Sequence, residues 1–375
     1  MWLYYSLIIY ILLLGAILGV EKQSFFQKKC LIFFSFGLFL FIAAFRSEQI
    51  GNDTAEYLRI FRSISYSGDI SRFAWRFESG YLYLNRILGL LTSQEQSIIV
   101  FTSLITMLGF ARFIYKYSKV PWLSVYLFFT LGYFSMFMNT IRLNIAIVLI
   151  LYSFDFIEKR NFLKFLLIVI FASLFHRTAI VFLVAYFITE YKFNRKIISS
   201  AVIVSLISFL IFPEMFSLLI RVFPTYSYYI GSVYLDGNIR IASVLNMLVG
   251  LSIMFFSYIS QRNTNRGSLV NINRNSKQGK NEILVDSDEK MLLLILIGVS
   301  VTFISFRFNL LDRVGEYFLV FSCVVLPNSI RKMTDKRTRL LIYYLVIVLF
   351  FIYSTTIVLF RPEWNIIYPY KFFWN

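Results

Sequence analysis

Charge is scarce in this chain. Asp, Glu, Lys and Arg make up only 15% of its 375 residues, against roughly a quarter in a soluble domain. Histidine occurs once, cysteine twice and proline six times. Cys30 and Cys323 lie at or within apolar segments, too few for a disulfide framework, and both read as packing residues. With one histidine no metal-ligand spacing arises, so metal-dependent catalysis is disfavoured. Neither a Walker A loop nor a Gly-x-Gly-x-x-Gly element occurs, which excludes ATP-driven and dinucleotide chemistry of the usual kinds and leaves no cofactor implied. The formal charge of +17 would suit nucleic acid, but the basic residues lie between apolar runs and form no continuous stripe, so no nucleic-acid partner is expected.

What the chain has instead is apolar surface. Hydrophobic residues make up 58%, with 43 Phe and 25 Tyr, and the mean hydropathy is +0.70. The fold expected is an all-α polytopic membrane protein in one domain over 1–375. Runs long enough to span, or to nearly span inside protein, fall at 2–20, 31–45, 97–114, 121–138, 141–157, 162–175, 178–190, 198–212, 241–259, 291–306, 314–327 and 340–360. That makes about twelve spans, with a shorter segment at 81–91 dipping into the interface. Residues 1–20 read as a first span with the N-terminus outside, because Lys22, Lys28 and Lys29 follow the apolar run and no basic residue precedes it, the reverse of a signal peptide. Outer loops are expected at 46–96, with short interfacial helices, and at 213–240. A polar cytoplasmic loop is expected at 261–290. The stretch 162–190 admits two readings, a hairpin or one kinked helix holding His176 and Arg177.

Lysine follows the positive-inside rule on this topology, with Lys371 alone outside. Arginine does not. Arg46, Arg59, Arg62, Arg72, Arg76, Arg86, Arg142, Arg177, Arg221, Arg240, Arg307, Arg313 and Arg361 all fall on the outer side. If charge only set orientation, the two cations would segregate together. Guanidinium differs from ammonium in being a planar fork that binds phosphate bidentately and keeps its proton when buried, so an outward Arg-rich face suits a lipid-linked phosphate or diphosphate. Arg142, Arg177, Arg307 and Arg313 stand out, because each lies between apolar runs. The runs 162–175, 178–190, 291–306 and 314–327 reach about 20–24 Å, short of a hydrocarbon core of about 30 Å, so their tips should be recessed. Four arginines at depth cost about 10 kcal/mol or more on the insertion scale, so they must face a wet cavity with anionic partners. Asp312 and Glu316 are near enough in sequence to neutralise one or two.

Asp53 and Glu78 are the carboxylates on the arginine side, each a candidate general base, and the turn Gly51-Asn52-Asp53-Thr54 equally suits a helix cap. His176, in Ser173-Leu-Phe-His176-Arg177-Thr178, is either a packing residue or a base beside a recessed arginine.

These pieces together resemble the EpsG family of Wzy-type polysaccharide polymerases. The resemblance is carried by Arg46-Ser47…Gly51-Asn-Asp53-Thr54…Tyr57, Glu78-Ser-Gly80-Tyr81, Asn139-Thr-Ile-Arg142-Leu-Asn-Ile-Ala146, Phe175-His176-Arg177-Thr178-Ala179, Arg313-Val-Gly-Glu316-Tyr317-Phe318 and Tyr368-Pro369-Tyr370-Lys371. It implies a GT-C-like membrane glycosyltransferase of the bacterial cytoplasmic membrane. Such an enzyme moves a growing glycan from undecaprenyl diphosphate to the non-reducing end of an undecaprenyl-diphosphate-linked repeat unit. Its active site faces outward and uses no metal or nucleotide. Its partners are then the two lipid-linked substrates, membrane lipids and a chain-length regulator. On that footing Arg142, Arg177, Arg307 and Arg313 hold diphosphate and Arg46 is a rim contact. Asp53, Glu78 or His176 is the base, and Tyr57, Tyr81 and Glu316 meet sugar. A flippase for the same lipid would also want an arginine-lined cavity, though usually with repeated halves, which are not found here. A related ligase would make a single transfer where a polymerase makes a ladder.

Overall fold

The computed structural model describes residues 1–19, 23–222, 224–232, 234–235, 238–272 and 286–374, with backbone alone at 219, 222, 224–226 and 261–272. The described chain is helical, with no strand among the described residues and one antiparallel bridge, Arg46 to Phe372. It divides into two compact units, Met1–Ile180 with Thr334–Asn375, and Val181–Met333.

The first unit begins with α1 (Trp2–Leu18) and α2 (Phe25–Ala44). Ser24 starts α2 through a capping box. Its hydroxyl accepts from Gln27 N–H at 3.2 Å while the Gln27 side chain accepts from Ser24 N–H at 2.8 Å, so two orphan donors are satisfied reciprocally. Two short helices follow on the loop after α2, α3 (Thr54–Ser67) and α4 (Ser79–Leu91). In α3 the apolar positions Tyr57, Ile60, Phe61 and Ile64 recur every three or four residues and are buried, while Arg59, Arg62 and Tyr66 are exposed. That stripe lays the helix on the unit instead of threading it through a membrane. Gly68, at φ +66°, ends it.

The helices α5 (Gln96–Tyr117), α6 (Pro121–Thr130), α7 (Tyr133–Asn139), α8 (Ile141–Glu158) and α9 (Phe162–Ser173) complete the run. α5 packs between α2 and α8, and α8 packs on α9. Phenylalanine supplies the joint: the Phe39 ring of α2 meets Phe128 and Phe129 of α6 and Phe134 of α7 at centroid distances of 5.7, 5.9 and 4.8 Å. At the far end of α8 Asp155 accepts from Arg112, from Lys116 at 2.9 Å and from the Tyr117 hydroxyl at 2.6 Å, tying it to α5.

The second unit holds α10 (Val184–Ile188), α11 (Arg195–Leu210), α12 (Phe212–Val222), α13 (Ile241–Ile272), α14 (Ser287–Ile304), α15 (Asp312–Leu319) and α16 (Ser322–Arg331). α14 is its axis, packed by α10, α11, α13, α15 and α16, with Met291 to Ile295 all fully buried. The acidic first turn of α14 suits the positive end of its dipole. There Asp288 accepts from Asn328 at 2.6 Å and Lys332 at 2.7 Å, and Glu289 accepts the Phe193 N–H at 2.7 Å. The chain then returns to the first unit as α17 (Lys336–Phe360), started by Asp335, whose carboxylate accepts from Thr338 N–H at 2.8 Å.

Among the described residues, four helical stretches are long and apolar enough to cross a membrane: α2, α5, Ile241–Ser260 of α13, and α17. The count rises to six if the pairs α6–α7, bent by 48°, and α11–α12, bent by 70°, are each one broken span. α1, α9 and Arg177–Ile188 are shorter apolar helices. The protein is therefore a multi-pass membrane protein. The expected polar loop 261–290 is helical as far as Ile272, residues 273–285 lie outside the described residues, and α14 opens at Ser287.

Candidate functional site

The geometry of the first unit starts at the break between α7 and α8. Asn139 ends α7, and its side chain is a junction for three segments. Its Oδ1 accepts the Asn52 N–H at 2.6 Å, and its Nδ2 donates to the Asn365 carbonyl at 3.2 Å and the Asn365 Oδ1 at 2.8 Å. Thr54 locks the same corner, donating to the Ile50 carbonyl at 2.5 Å and accepting from Arg46 Nε at 3.2 Å. Gly51 makes the close approach possible. Its φ is +83°, and a Cβ there would meet the Met138 carbonyl oxygen at 2.5 Å.

Arg46 does not stand at a rim, as the sequence reading had it. It is fully buried. Its guanidinium donates to the Ala43 carbonyl at 2.7 Å, the Thr54 hydroxyl and the Met138 carbonyl at 3.4 Å, and stacks on Phe137 at 5.6 Å. Burial pushes the group down to about 10, still protonated at neutral pH. Arg46 is a strut of the corner, spent on internal acceptors.

Three residues past Asn139, in the first turn of α8, lies Arg142. Its Nη1 donates to Glu78 Oε2, with side-chain exposures of 20% and 11%. The guanidinium lies over Phe77 at 4.6 Å, and Arg76 approaches the same ring at 5.3 Å. Glu78 is positioned by the turn into α4. Gly80 donates its N–H to the Leu174 carbonyl at 2.8 Å, and a Cβ on Gly80 would lie 2.7 Å from that oxygen. This contact brings Glu78 to the end of α9, where the helix is interrupted before the 3-10 turn Arg177–Leu183. The backbone N–H of Arg177 is therefore not spent inside a helix, and it donates to Glu78 Oε1 at 3.4 Å. His176 is half-buried beside it, with Nδ1 2.8 Å from the Thr178 hydroxyl. The Arg177 side chain is exposed and pairs with no described carboxylate.

Glu78, Arg142 and the backbone of Arg177 are thus brought together from three distant stretches of chain, with His176 next in sequence to Arg177. Asp53 is exposed at the N-cap of α3, with no cap hydrogen bond from its side chain. Tyr57 and Tyr81 are 2% and 0% exposed, ring against ring at 5.6 Å, so neither offers a face to a sugar. They instead wall the cluster from behind. Arg142 Nε is buried with no hydrogen-bond partner among the described residues. The exposed aromatics of this loop are Tyr66, Trp75 and Tyr83.

The second unit has its own polar tip between α14 and α15. Asp312 accepts from the hydroxyls of Ser243 and Ser305, which pins the start of α13 to the end of α14. It is not salt-bridged to the arginines expected to need it. Arg307 is exposed and lies over Phe209 at 4.3 Å, and Arg313 is exposed with no described ion pair. Glu316 is half-buried one turn after Asp312. Among the described residues no three His, Cys, Asp or Glu gather where they could hold a metal ion. The spacing Asp286-Ser-Asp288 is filled by the Lys332 ammonium, at 2.8 and 2.7 Å.

A sequence model of the EpsG family matches residues 29–372, nearly the whole chain and every residue of the cluster. The chain belongs to the EpsG family. It is accordingly a polysaccharide-polymerase-type membrane protein with glycosyltransferase-like chemistry. No curated protein and no solved structure matches it. Asn139, quoted above only as part of a motif, and Phe77 are the residues to which the sequence assigns no role. The available signal was an amide just before Arg142 and an aromatic ring just before Glu78, neither informative until the packing around them is seen.

Proposed function

We propose that this EpsG-family protein polymerises a polysaccharide at the outer face of a bacterial cytoplasmic membrane. The growing glycan passes from undecaprenyl diphosphate to the non-reducing end of a fresh undecaprenyl-diphosphate-linked repeat unit, without metal or nucleotide. The twelve-span, GT-C-like arrangement belongs to this reading: to the six longer or bent spans and the three shorter apolar helices it adds α8, α14 and the α15–α16 stretch as spans held within protein. The observation that carries the reading is the partly buried Arg142–Glu78 pair, which the Arg177 backbone N–H also meets, with His176 next to it in sequence. It combines a guanidinium fork, a second exposed guanidinium and a backbone N–H with a carboxylate and an imidazole.

That set suits the chemistry. As the acceptor oxygen bonds to the anomeric carbon, the departing diphosphate gains charge, and preorganised cations in a water-poor setting stabilise it. Holding two lipid-linked reactants in register supplies a further share of the rate. Arg307 and Arg313 offer phosphate-binding groups on the second unit, and a chain-length regulator would act on the product.

The test is reconstitution of the purified chain with lipid-diphosphate-linked repeats, without ATP or metal, and products resolved by length. Wild type yields a ladder. Arg142→Ala and Arg177→Ala each lower its rate by at least about 100-fold, the usual loss on removing one charge-stabilising group. A wild-type sample that leaves the glycan unextended but moves it across the vesicle membrane is a flippase, and a single transfer marks a ligase.

A further inference from the structure

The geometry points to Glu78 as a placeholder anion: it occupies Arg142 until the substrate diphosphate displaces it, and the carboxylate so released takes the proton of the acceptor hydroxyl. Resting on the polymerase reading above, this adds the residue that couples diphosphate binding to chemistry.

Four observations lead there. The carboxylate of Glu78 is held by a guanidinium N–H of Arg142 and by the backbone N–H of Arg177. Those are donors of the kind a phosphate takes, so the side chain fills an anion site of the protein's own making. The pair is also incompletely satisfied. Arg142 Nε is buried without a hydrogen-bond partner among the described residues, and one carboxylate cannot reach every donor of the fork. A diphosphate brings more acceptor oxygens and more charge, so exchange gains hydrogen bonds. Third, the two partners keep 20% and 11% side-chain exposure, enough for a ligand to reach them. Last, Glu78 is free to leave. It sits at the N-cap of α4 with extended backbone, φ −70° and ψ 146°, yet its side chain caps nothing. A rotamer change opens the pair without unwinding α4, while Phe77 keeps Arg142 in place.

The step balances. The acceptor oxygen forms its bond to the anomeric carbon, and the bond from that carbon to the donor's diphosphate oxygen breaks. The electron pair leaves with the diphosphate, held on Arg142 and Arg177, and the hydroxyl proton passes to Glu78.

Binding of geranylgeranyl diphosphate to the full chain in detergent, measured by calorimetry beside the polymerisation assay, tests this. Glu78→Gln removes the competing charge at nearly constant shape. It should bind the diphosphate about tenfold tighter than wild type while polymerising at least about 100-fold more slowly, the usual scale of a lost general base. The ligand-induced rise in Tm should be larger in Glu78→Gln than in wild type. Glu78→Asp, which keeps the charge but shortens its reach, should also bind tighter and retain more activity than Glu78→Gln. Adding Arg142→Ala should abolish the gain in binding. Unchanged or weaker binding by both Glu78 variants would make Glu78 a mere strut and overturn the proposal, leaving the polymerase reading intact where wild type binds and extends glycan. If wild type neither binds the diphosphate nor makes a ladder, both fall.

Discussion

Arg46 lies two residues past the end of α2, fully buried, with two carbonyls and one hydroxyl around its guanidinium and no described carboxylate. Arg142 is only partly buried and has a carboxylate. The difference sorts their roles. A charge enclosed by internal acceptors holds structure, because each charge-assisted hydrogen bond contributes about 1.5–3 kcal/mol and nothing from solvent can replace it. A charge at a partly open ion pair can exchange its partner. Arg46→Ala should accordingly lower stability by on the order of 3 kcal/mol, read as a fall in the Tm of the detergent-solubilised protein, with diphosphate binding of the remaining folded fraction unchanged. A loss of binding with Tm intact would return Arg46 to the substrate. At this scale the sequence is ambiguous, since both arginines follow apolar runs and only the surroundings tell them apart.

Single elements were more legible. The stripe Tyr57, Ile60, Phe61 and Ile64 marks α3 as a surface helix, and the runs at 31–45, 97–114, 241–259 and 340–360 fall on helices long enough to cross a membrane. The joins between elements were not legible. Gly80 reads as an ordinary helix-start residue, yet its lack of a side chain lets α4 press against the Leu174 carbonyl and delivers Glu78 to Arg177. Gly80→Ala places a Cβ 2.7 Å from a backbone oxygen, which cannot swing aside as a flexible side chain would. The start of α4 must shift, at a cost of about 1–3 kcal/mol for overpacking. Displacing Glu78 should reduce the polymerisation rate at least about tenfold, a misplacement effect on positioned groups. Full activity in a stably folded Gly80→Ala variant would mean that Glu78 does not need this contact.

Across the molecule, residues 361–374 close the corner that holds the cluster. Ser47 N–H donates to the Lys371 carbonyl at 3.0 Å, Gly51 N–H to the Ile366 carbonyl at 2.9 Å and Phe373 N–H to the Phe45 carbonyl at 3.0 Å, while Asn365 meets Asn139. A chain ended after Phe360 should keep its long helices, whose hydrogen bonds are internal, and lose protection in the loop 46–54. Hydrogen exchange should show the change as faster exchange at Ser47 and Gly51 with α5 and α8 unaffected. Uniform deprotection would instead make the segment part of the global fold.

The sequence by itself determined the solvent and the element type. Long apolar runs with few charges have no stable place but a membrane, and in lipid the backbone must satisfy itself as helix. It also marked Arg142, Arg177, His176 and Glu78 as chemically unusual, because charge in or beside apolar runs has to be explained. Only the tertiary structure decided which of them meet. Glu78 lies 64 residues from Arg142, and their pairing depends on the Asn139 junction and on a backbone approach at Gly80. Contacts of that kind are set by shape and by hydrogen bonds between distant segments, and no local periodicity encodes them.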